Sequence, residues 1–232
     1  MPETDINKLN SILNDLDVDL SGIGSLGRTP ESPELAKAER LLPGAKSVIS
    51  LAMEIPPEVF RHLSFRQEVG DLALRDLYHQ TEQLISGRLN WEAYKLVKKL
   101  HSLGYQALAL PAGGPYDVRF LEGPISYKHA AQAAGLGYIG RNSLLVTPQY
   151  GPRVKLAAVV TDAELKPSIT AAPGAKCTRC GACIKACPAS AIKKPGQHQD
   201  YNLDVHACNS FLAAVGLCAE CMKVCPRSKG GQ

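Results

Sequence analysis

Eight cysteines, all placed after residue 176, carry the plainest chemistry in this sequence. The first four stand in CTRCGACIKACP as Cys177, Cys180, Cys183 and Cys187, with Pro188 after the last. C-x2-C-x2-C-x3-C-P is the bacterial-type spacing for [4Fe–4S] ligation. Two-residue gaps let a tight loop turn three sulfurs toward one face of a cubane. The fourth thiol, on a short helix pointing away, serves a neighbouring cluster. Pro188 ends backbone pairing at that turn, and Gly181 lets the main chain approach the inorganic core. The other four form a displaced second set: Cys208, then Cys218, Cys221 and Cys225 before Pro226. Crossing the fourth ligands gives one cluster Cys177, Cys180, Cys183 and Cys225, and the other Cys208, Cys218, Cys221 and Cys187. Every cysteine is then used once.

Two other uses of cysteine are weighed and set aside. Zinc favours sets built from two CxxC knuckles, which this run is not. Four disulfides suit small secreted scaffolds, and this chain of 232 residues is neither small nor visibly secreted. His198 and His206 lie near the thiols but are not needed as ligands. Two clusters linked by crossed ligands conduct electrons, and a metal-bound module of this kind also needs its metal to fold.

A second motif lies upstream. GLGYIG, Gly135–Gly140, matches G-x-G-x-x-G. A dinucleotide fingerprint follows a strand and opens a helix. Here the helical HAAQAA precedes the glycines and the strand-like SLLVT follows, so nicotinamide binding is rejected. Two readings remain for the glycines: a helix C-cap with a tight turn, or a backbone cradle for a large cofactor.

The elements that must position these groups read as follows. Ile6, Leu9, Ile12, Leu13 and Leu16 fall at helical spacing, and a Gly/Ser/Pro-rich loop spans Ser21 to Pro33. SVISLAM (Ser47–Met53) is a buried strand, and the chain around Pro56–Pro57 is irregular. Leu72–Ile85 and Asn90–Leu103 read as two helices, the second capped by Asn90 and stopped by Gly104. Gln106–Leu110 is a strand and Ser126–Ala134 a short helix. Ser143–Thr147 and Val154–Asp162 are strands with a hairpin-like joint, on which Arg153 and Lys155 face solvent. The linker KPSITAAPGAK separates an α/β domain at about 1–165 from a cysteine module at about 170–232.

Composition bounds the remaining classes. Apolar residues make up 45% and charged residues 21%, a soluble globular profile. No apolar run approaches the ~20 residues of a membrane span, and the acidic start shows no export signal, so the expected location is cytoplasmic. The formal charge of +4 is spread along the chain. Two oxidised clusters, at roughly −2 each, would bring the holo-protein to about neutral. No nucleic-acid footprint is visible.

The stretch PISYKHAAQAAGLGYIGRNSLLVTPQYGPRVKLAAVVTD, Pro124–Asp162, together with the cysteine run, resembles the epoxyqueuosine reductases and, more distantly, the corrinoid-dependent reductive dehalogenases. The likeness covers roughly Lys46 to Pro226. It implies an α/β (α+β) fold: a nitroreductase-like core holding base-off cobalamin, followed by a ferredoxin-like module with two [4Fe–4S] clusters. Electrons would pass from an external low-potential donor through the clusters to cobalt. Carried over by position, Gly137, Tyr138, Ile139, Gly140, Arg141, Asn142 and Ser143 would line the corrinoid. Lys128, His129 and Arg141 would bind its tail groups or lie on a solvated face. Where the epoxyqueuosine reductases carry an acidic residue three positions before the proline, this chain has Leu121, with Glu122 one place out of register. Glu122 is thus a general acid near cobalt or a surface glutamate. Tyr127 and Tyr138 are proton donors, corrin-stacking rings or core tyrosines. The sequence also stops seven residues after Cys225, without the C-terminal extension that helps those enzymes hold tRNA.

The expectation is therefore an iron–sulfur reductase working with a corrinoid on a small-molecule substrate, with tRNA and membrane partners not expected. The alternatives are a non-enzymatic relay that reduces a partner, such as a corrinoid protein, and a flavin (FMN) reductase on the same core.

Overall fold

The computed structural model describes residues 11–26, 37–61, 71–114, 116–168, 176–197 and 199–229. The chain gathers into two compact units, each drawn from several stretches. One comprises Met1–Met53, Ile85–Leu136 and Lys155–Pro173, and the other Glu54–Leu84, Gly137–Val154 and Gly174–Gln232.

The first unit is built on a four-stranded sheet. Its strands are β1 (Leu20–Ser25), β2 (Ser47–Glu54), β3 (Ala107–Leu110) and β6 (Val154–Thr161), in the order β1-β2-β6-β3. β1 pairs antiparallel with β2, Ile23 opposite Ile49, and β3 pairs antiparallel with β6, Leu108 opposite Val160. The two central strands carry continuous apolar runs because both their faces are covered. Val48, Ile49, Leu51 and Ala52 are fully buried, as are Ala158, Val159 and Val160. Helix α4 (Tyr127–Ala133) lies against β1. A Cβ on Gly22 would stand 2.2 Å from the Ala134 carbonyl oxygen, and one on Gly24 3.0 Å from the Ala133 carbonyl carbon. The stretch expected as a Gly/Ser-rich loop is therefore partly a strand, whose glycines make room for a helix.

The two helices expected at 72–85 and 90–103 are one helix, α3 (Asp71–Ser102). Asn90 does not cap it: its Oδ1 accepts from the backbone N–H of Ala112 at 2.6 Å. Tyr78, Ile85, Leu89, Ala93, Leu96, Val97 and Leu100 form an uninterrupted buried stripe across the expected break. That burial outweighs the ~1 kcal/mol cost of Gly87 in a helix interior. Residues 11–14 are helical, and the earlier part of the expected N-terminal helix lies outside the described residues.

The joint after Thr147 is also different from expectation. β5 (Leu145–Val146) pairs with β4 (Tyr138–Ile139) instead of with β6. A tight turn closed by Thr147 N to Gly151 O at 2.9 Å and Gly151 N to Thr147 O at 3.0 Å then delivers the chain to β6.

The second unit holds the β4–β5 hairpin and the cysteine-rich segment. The segment contains α5 (Ala182–Ala186), a small β7–β8 ladder (Ile192–Lys193 with Asn202–Leu203), α6 (Val205–Val215), α7 (Glu220–Lys223) and a 3-10 turn (Pro226–Lys229). Asp204 caps α6 by accepting from Ala207 N at 2.9 Å, and Gly216 ends it at φ 76°. Among the described residues, no helix is long and apolar enough to cross a membrane.

Candidate iron–sulfur site

The first quartet comes together in space. Cys177, Cys180 and Cys183 line one small cavity with Cys225, which lies 42 positions beyond Cys183 in the chain. Gly181 stands in the left-handed region at φ 76° and starts α5, with nothing within 4 Å of where its Cβ would be. The loop thus turns sharply between the second and third thiols, as a shared cubane face requires.

The electrostatics follow the same grouping, except that the charge of Cys183 also reaches Cys221. Burial pushes the Cys183 thiol up, and the charges of Cys177, Cys180 and Cys225 push it further. Cys225 is raised by burial and then by Cys177 and Cys180. In the second quartet, burial and then Cys187 and Cys218 raise Cys208. Cys221, the most deeply placed, is pushed up to about 12 by burial and then by Cys218 and Cys208. Cys180 alone is held low, first by the backbone N–H of Ala182, with Arg141 adding to the effect. All eight cysteines are free thiols. Crowded, mutually repelling thiols resist ionisation as they stand, and a ferric–ferrous core would invert that balance by binding them as thiolates. The first set thus shares one cavity, and the second is linked through the mutual influence of Cys187, Cys208, Cys218 and Cys221. The N–H of Ala191 donates to Sγ of Cys187 at 3.3 Å, the kind of bond that tunes a cluster's potential.

The glycine motif closes on itself. Gly135 takes φ 77° and ends α4, with Gly135 N bonded to Gln132 O and Leu136 N to Ala131 O, both at 3.0 Å. This is the helix C-cap reading. A Cβ on Gly137 would stand 2.3 Å from the Val146 carbonyl oxygen, and one on Gly140 2.6 Å from Asn142 Oδ1. The spaces beside these glycines are filled by the hairpin's own atoms, so Gly137 and Gly140 offer no open cradle there. Ser143 turns the chain at φ 62°, its N–H donating to Gly140 O at 2.8 Å. Ile139 is buried.

The hairpin instead walls the first quartet. Tyr138, Gly140, Arg141 and Asn142 line the same cavity as its four thiols. Arg141 Nη1 donates to the Arg179 carbonyl at 3.2 Å, and the buried Asn142 donates from Nδ2 to the Cys221 carbonyl at 3.5 Å. Arg227 hydrogen-bonds the Tyr138 hydroxyl, whose pKa is raised by burial first, with Arg227 opposing and the charges of Cys177 and Cys225 adding to it.

The remaining sequence candidates belong to the first unit. Glu122 is exposed and ion-paired with Lys37, Oε2 to Nζ at 2.6 Å, on the wall of a cavity of about 440 Å³. The Tyr127 hydroxyl donates to the Pro111 carbonyl at 3.0 Å, its ring packs on the core, and burial raises its pKa. His129 Nδ1 lies 2.7 Å from Ser126 Oγ, and Lys128 is half-buried.

Three residues near the thiols carry no sequence signal of their own. Tyr78 on α3 is buried edge-on to Phe60 and donates to Glu82 Oε1 at 3.2 Å. Its pKa is raised by burial first, then by Glu82, then by the charges of Cys221 and Cys218. In sequence it is one more apolar-stripe aromatic. Arg227 reads as a tail residue. Arg153, expected to face solvent, is 4% exposed.

Residues 176–229 match the model of the 4Fe–4S dicluster domain. The chain therefore carries an iron–sulfur, ferredoxin-like domain. Its relatives are reductases of two kinds. It is 38% identical to the tetrachloroethene reductive dehalogenase of Dehalobacter restrictus over 156 residues, covering 59% of this chain and 26% of that protein. It is 29% identical to the epoxyqueuosine reductase of Bacillus cereus over 222 residues, covering 86% of this chain and 53% of that one. Among solved structures, a reductive dehalogenase for which a mechanism of B12-dependent dehalogenation is suggested shares the fold. Its TM-score is 0.68 at 17% identity, over 98% of this chain and 32% of that chain. The chain thus spans about half, or less, of the length of these relatives.

Proposed function

We propose that this chain is an iron–sulfur reductase holding two [4Fe–4S] clusters, which take single electrons from an external low-potential donor protein and deliver them to a corrinoid that acts on a small molecule. The observation that carries the reading is the meeting of Cys225 with Cys177, Cys180 and Cys183 around one cavity. It is the crossed arrangement that two linked clusters require and that paired zinc knuckles do not. The two reductase relatives support a reducing role, and the B12-dependent dehalogenase of the same fold supports cobalamin as the acceptor. A nitroreductase-like character of the first unit belongs to the same reading.

The chain's own residues have definite tasks in it. The eight thiolates hold the clusters and, through their charge, set how readily an electron is accepted. The Ala191 N–H at Cys187 eases reduction of the second cluster by offsetting charge on sulfur. Tyr138 and Arg227 bound the first cluster's cavity. A bound corrinoid would supply a strongly reducing cobalt centre. Gly137 and Gly140 are closed by the hairpin and Asn142 and Ser143 are buried, so corrinoid contacts from this segment would fall to Tyr138 and Arg141, which also line the thiol cavity. Glu122, ion-paired with Lys37, is the acidic candidate that lines the 440 Å³ cavity, and tRNA is not the expected substrate.

The test is anaerobic titration of the cluster-loaded chain with cob(II)alamin, followed by electron paramagnetic resonance. Conversion of the cobalt signal to the base-off form at stoichiometric protein supports the reading. Unchanged cobalamin spectra, with clusters that still reduce reversibly, would leave an electron relay. Release of yellow fluorescence on denaturation would point to FMN.

A further inference from the structure

We propose that Arg153 is the positioning residue for Cys225, the ligand that crosses from the second cysteine run to the first cluster. The inference rests on the cluster reading above.

Three thiols of the first quartet come from one short loop, Cys177–Cys183, and are placed by its local geometry. The fourth lies 42 positions beyond Cys183. It stands between α7 and the terminal 3-10 turn, its N–H donating to the Met222 carbonyl at 3.1 Å, and a contact from outside anchors that segment as a whole. Arg153 does so from the turn that precedes β6. Its side chain is 5% exposed, and its planar fork is held on both sides. Nη1 donates to Glu54 Oε1 at 2.6 Å and to the Ile55 carbonyl at 2.8 Å, while Nε donates to the Ser228 carbonyl at 2.7 Å. Ser228 is tied in turn to the cysteine. Its N–H donates to the Cys225 carbonyl at 2.8 Å, and its hydroxyl to the Met222 carbonyl. The path from Glu54 to the ligand therefore runs through one rigid guanidinium and one residue, Ser228.

The same turn braces the segment a second time. Gly151, at φ 59°, lies flat against the Arg227 peptide, and a Cβ there would stand 2.2 Å from its carbonyl oxygen. Arg153 and Gly151 thus fix Ser228 and Arg227, three and two residues past the ligand, from a part of the chain that carries no cysteine. A guanidinium is suited to this because it donates in several directions from one plane, which a lysine ammonium at the end of a flexible stem does not. A merely stabilising role would be filled by a well-packed apolar side chain. The difference lies in which cluster responds when the strut is removed.

The experiment uses the full chain, reconstituted anaerobically with iron and sulfide, in wild type, Arg153→Met, Arg153→Lys and Cys225→Ser forms. Mössbauer and electron paramagnetic resonance spectra count the clusters separately. In Arg153→Met the cluster on Cys187, Cys208, Cys218 and Cys221 is expected at wild-type occupancy. The other is expected to fall at least fivefold in its four-iron form, releasing one iron to give a three-iron centre. Cys225→Ser should show the same lesion, the double variant should add nothing, and Arg153→Lys should recover only part. Both clusters unchanged in Arg153→Met, or both lost in equal proportion, would overturn the proposal. Should Arg153→Met not fold, Gly151→Ala keeps the guanidinium and displaces the same segment. It is expected to damage the first cluster alone, and equal damage to both would again overturn the proposal. A wild-type chain that assembled no cluster would fail one stage earlier, with the cluster reading itself.

Discussion

Arg141 donates from Nη1 to the backbone carbonyl of Arg179 at 3.2 Å, which ties the turn of the glycine hairpin to the loop between the first two cysteines. The hairpin thereby becomes part of the housing of the first quartet. Arg141→Ala removes one charge-assisted bond at a partly exposed place, worth about 1 kcal/mol. Loss of the first cluster to a chelator should quicken by roughly fivefold, with the second cluster's rate unchanged. Stopped-flow bleaching of the cluster absorbance checks this, and equal rates in both proteins would count against the housing role.

Cys183 and Cys187 are four residues apart in the sequence, yet Cys183 shares a cavity with Cys177, Cys180 and Cys225, while the charge of Cys187 acts on Cys208. Cys183→Ser should therefore impair the cluster shared with Cys225, and Cys187→Ser the one shared with Cys208. Parallel Mössbauer spectra of the two variants decide the matter. Identical spectra would mean that the ligands are not crossed.

Two glycines make opposite predictions. Gly87 is exposed in the interior of α3, with nothing within 4 Å of its absent Cβ, so Gly87→Ala should stabilise the chain by up to about 1 kcal/mol. Gly137→Ala drives a methyl to 2.3 Å from the Val146 oxygen and should cost about 1–3 kcal/mol, as overpacking does. Urea unfolding of the loaded protein measures both, and a harmless Gly137→Ala would mean that the hairpin is looser than its geometry.

Tyr78 keeps its proton well above the ordinary tyrosine range, because burial and then Glu82 oppose the phenolate. A folded-state pKa above the unfolded value of 10.0 means that this contribution is complete below pH 10 and is lost as pH climbs beyond it. Wild-type stability should fall more steeply between about pH 10 and 11 than that of Tyr78→Phe, which has no proton to lose. Urea midpoints at the two pH values test this, and parallel slopes would contradict it.

How much of this was legible in the sequence follows from what fixes each feature. Cysteine spacing is a covalent, local property, so the iron–sulfur domain matched at residues 176–229 could be placed before any fold was known. The end of α4 at Gly135 was legible for a similar reason, since a left-handed C-cap is a local demand. Strand β1 was hidden because Gly22 and Gly24 look like loop residues, and the reason for them, the backbone of α4, is more than 100 residues away. Asn90 read as a cap suggested a break in α3, but the Asn90 amide is engaged by Ala112, and the buried stripe carries the helix through. Arg153 looked like one of two alternating strand cations. Its burial follows from acceptors supplied by Glu54, Ile55 and Ser228, at separations of up to 99 residues that no local pattern encodes.

The most direct measurement of the central claim is the iron and acid-labile sulfide content of the anaerobically reconstituted chain, taken together with a reductive titration. Two cubanes on crossed ligands predict about eight iron and about eight sulfide per chain and two one-electron steps. About four iron with a single step, or stoichiometric zinc without sulfide, would contradict it.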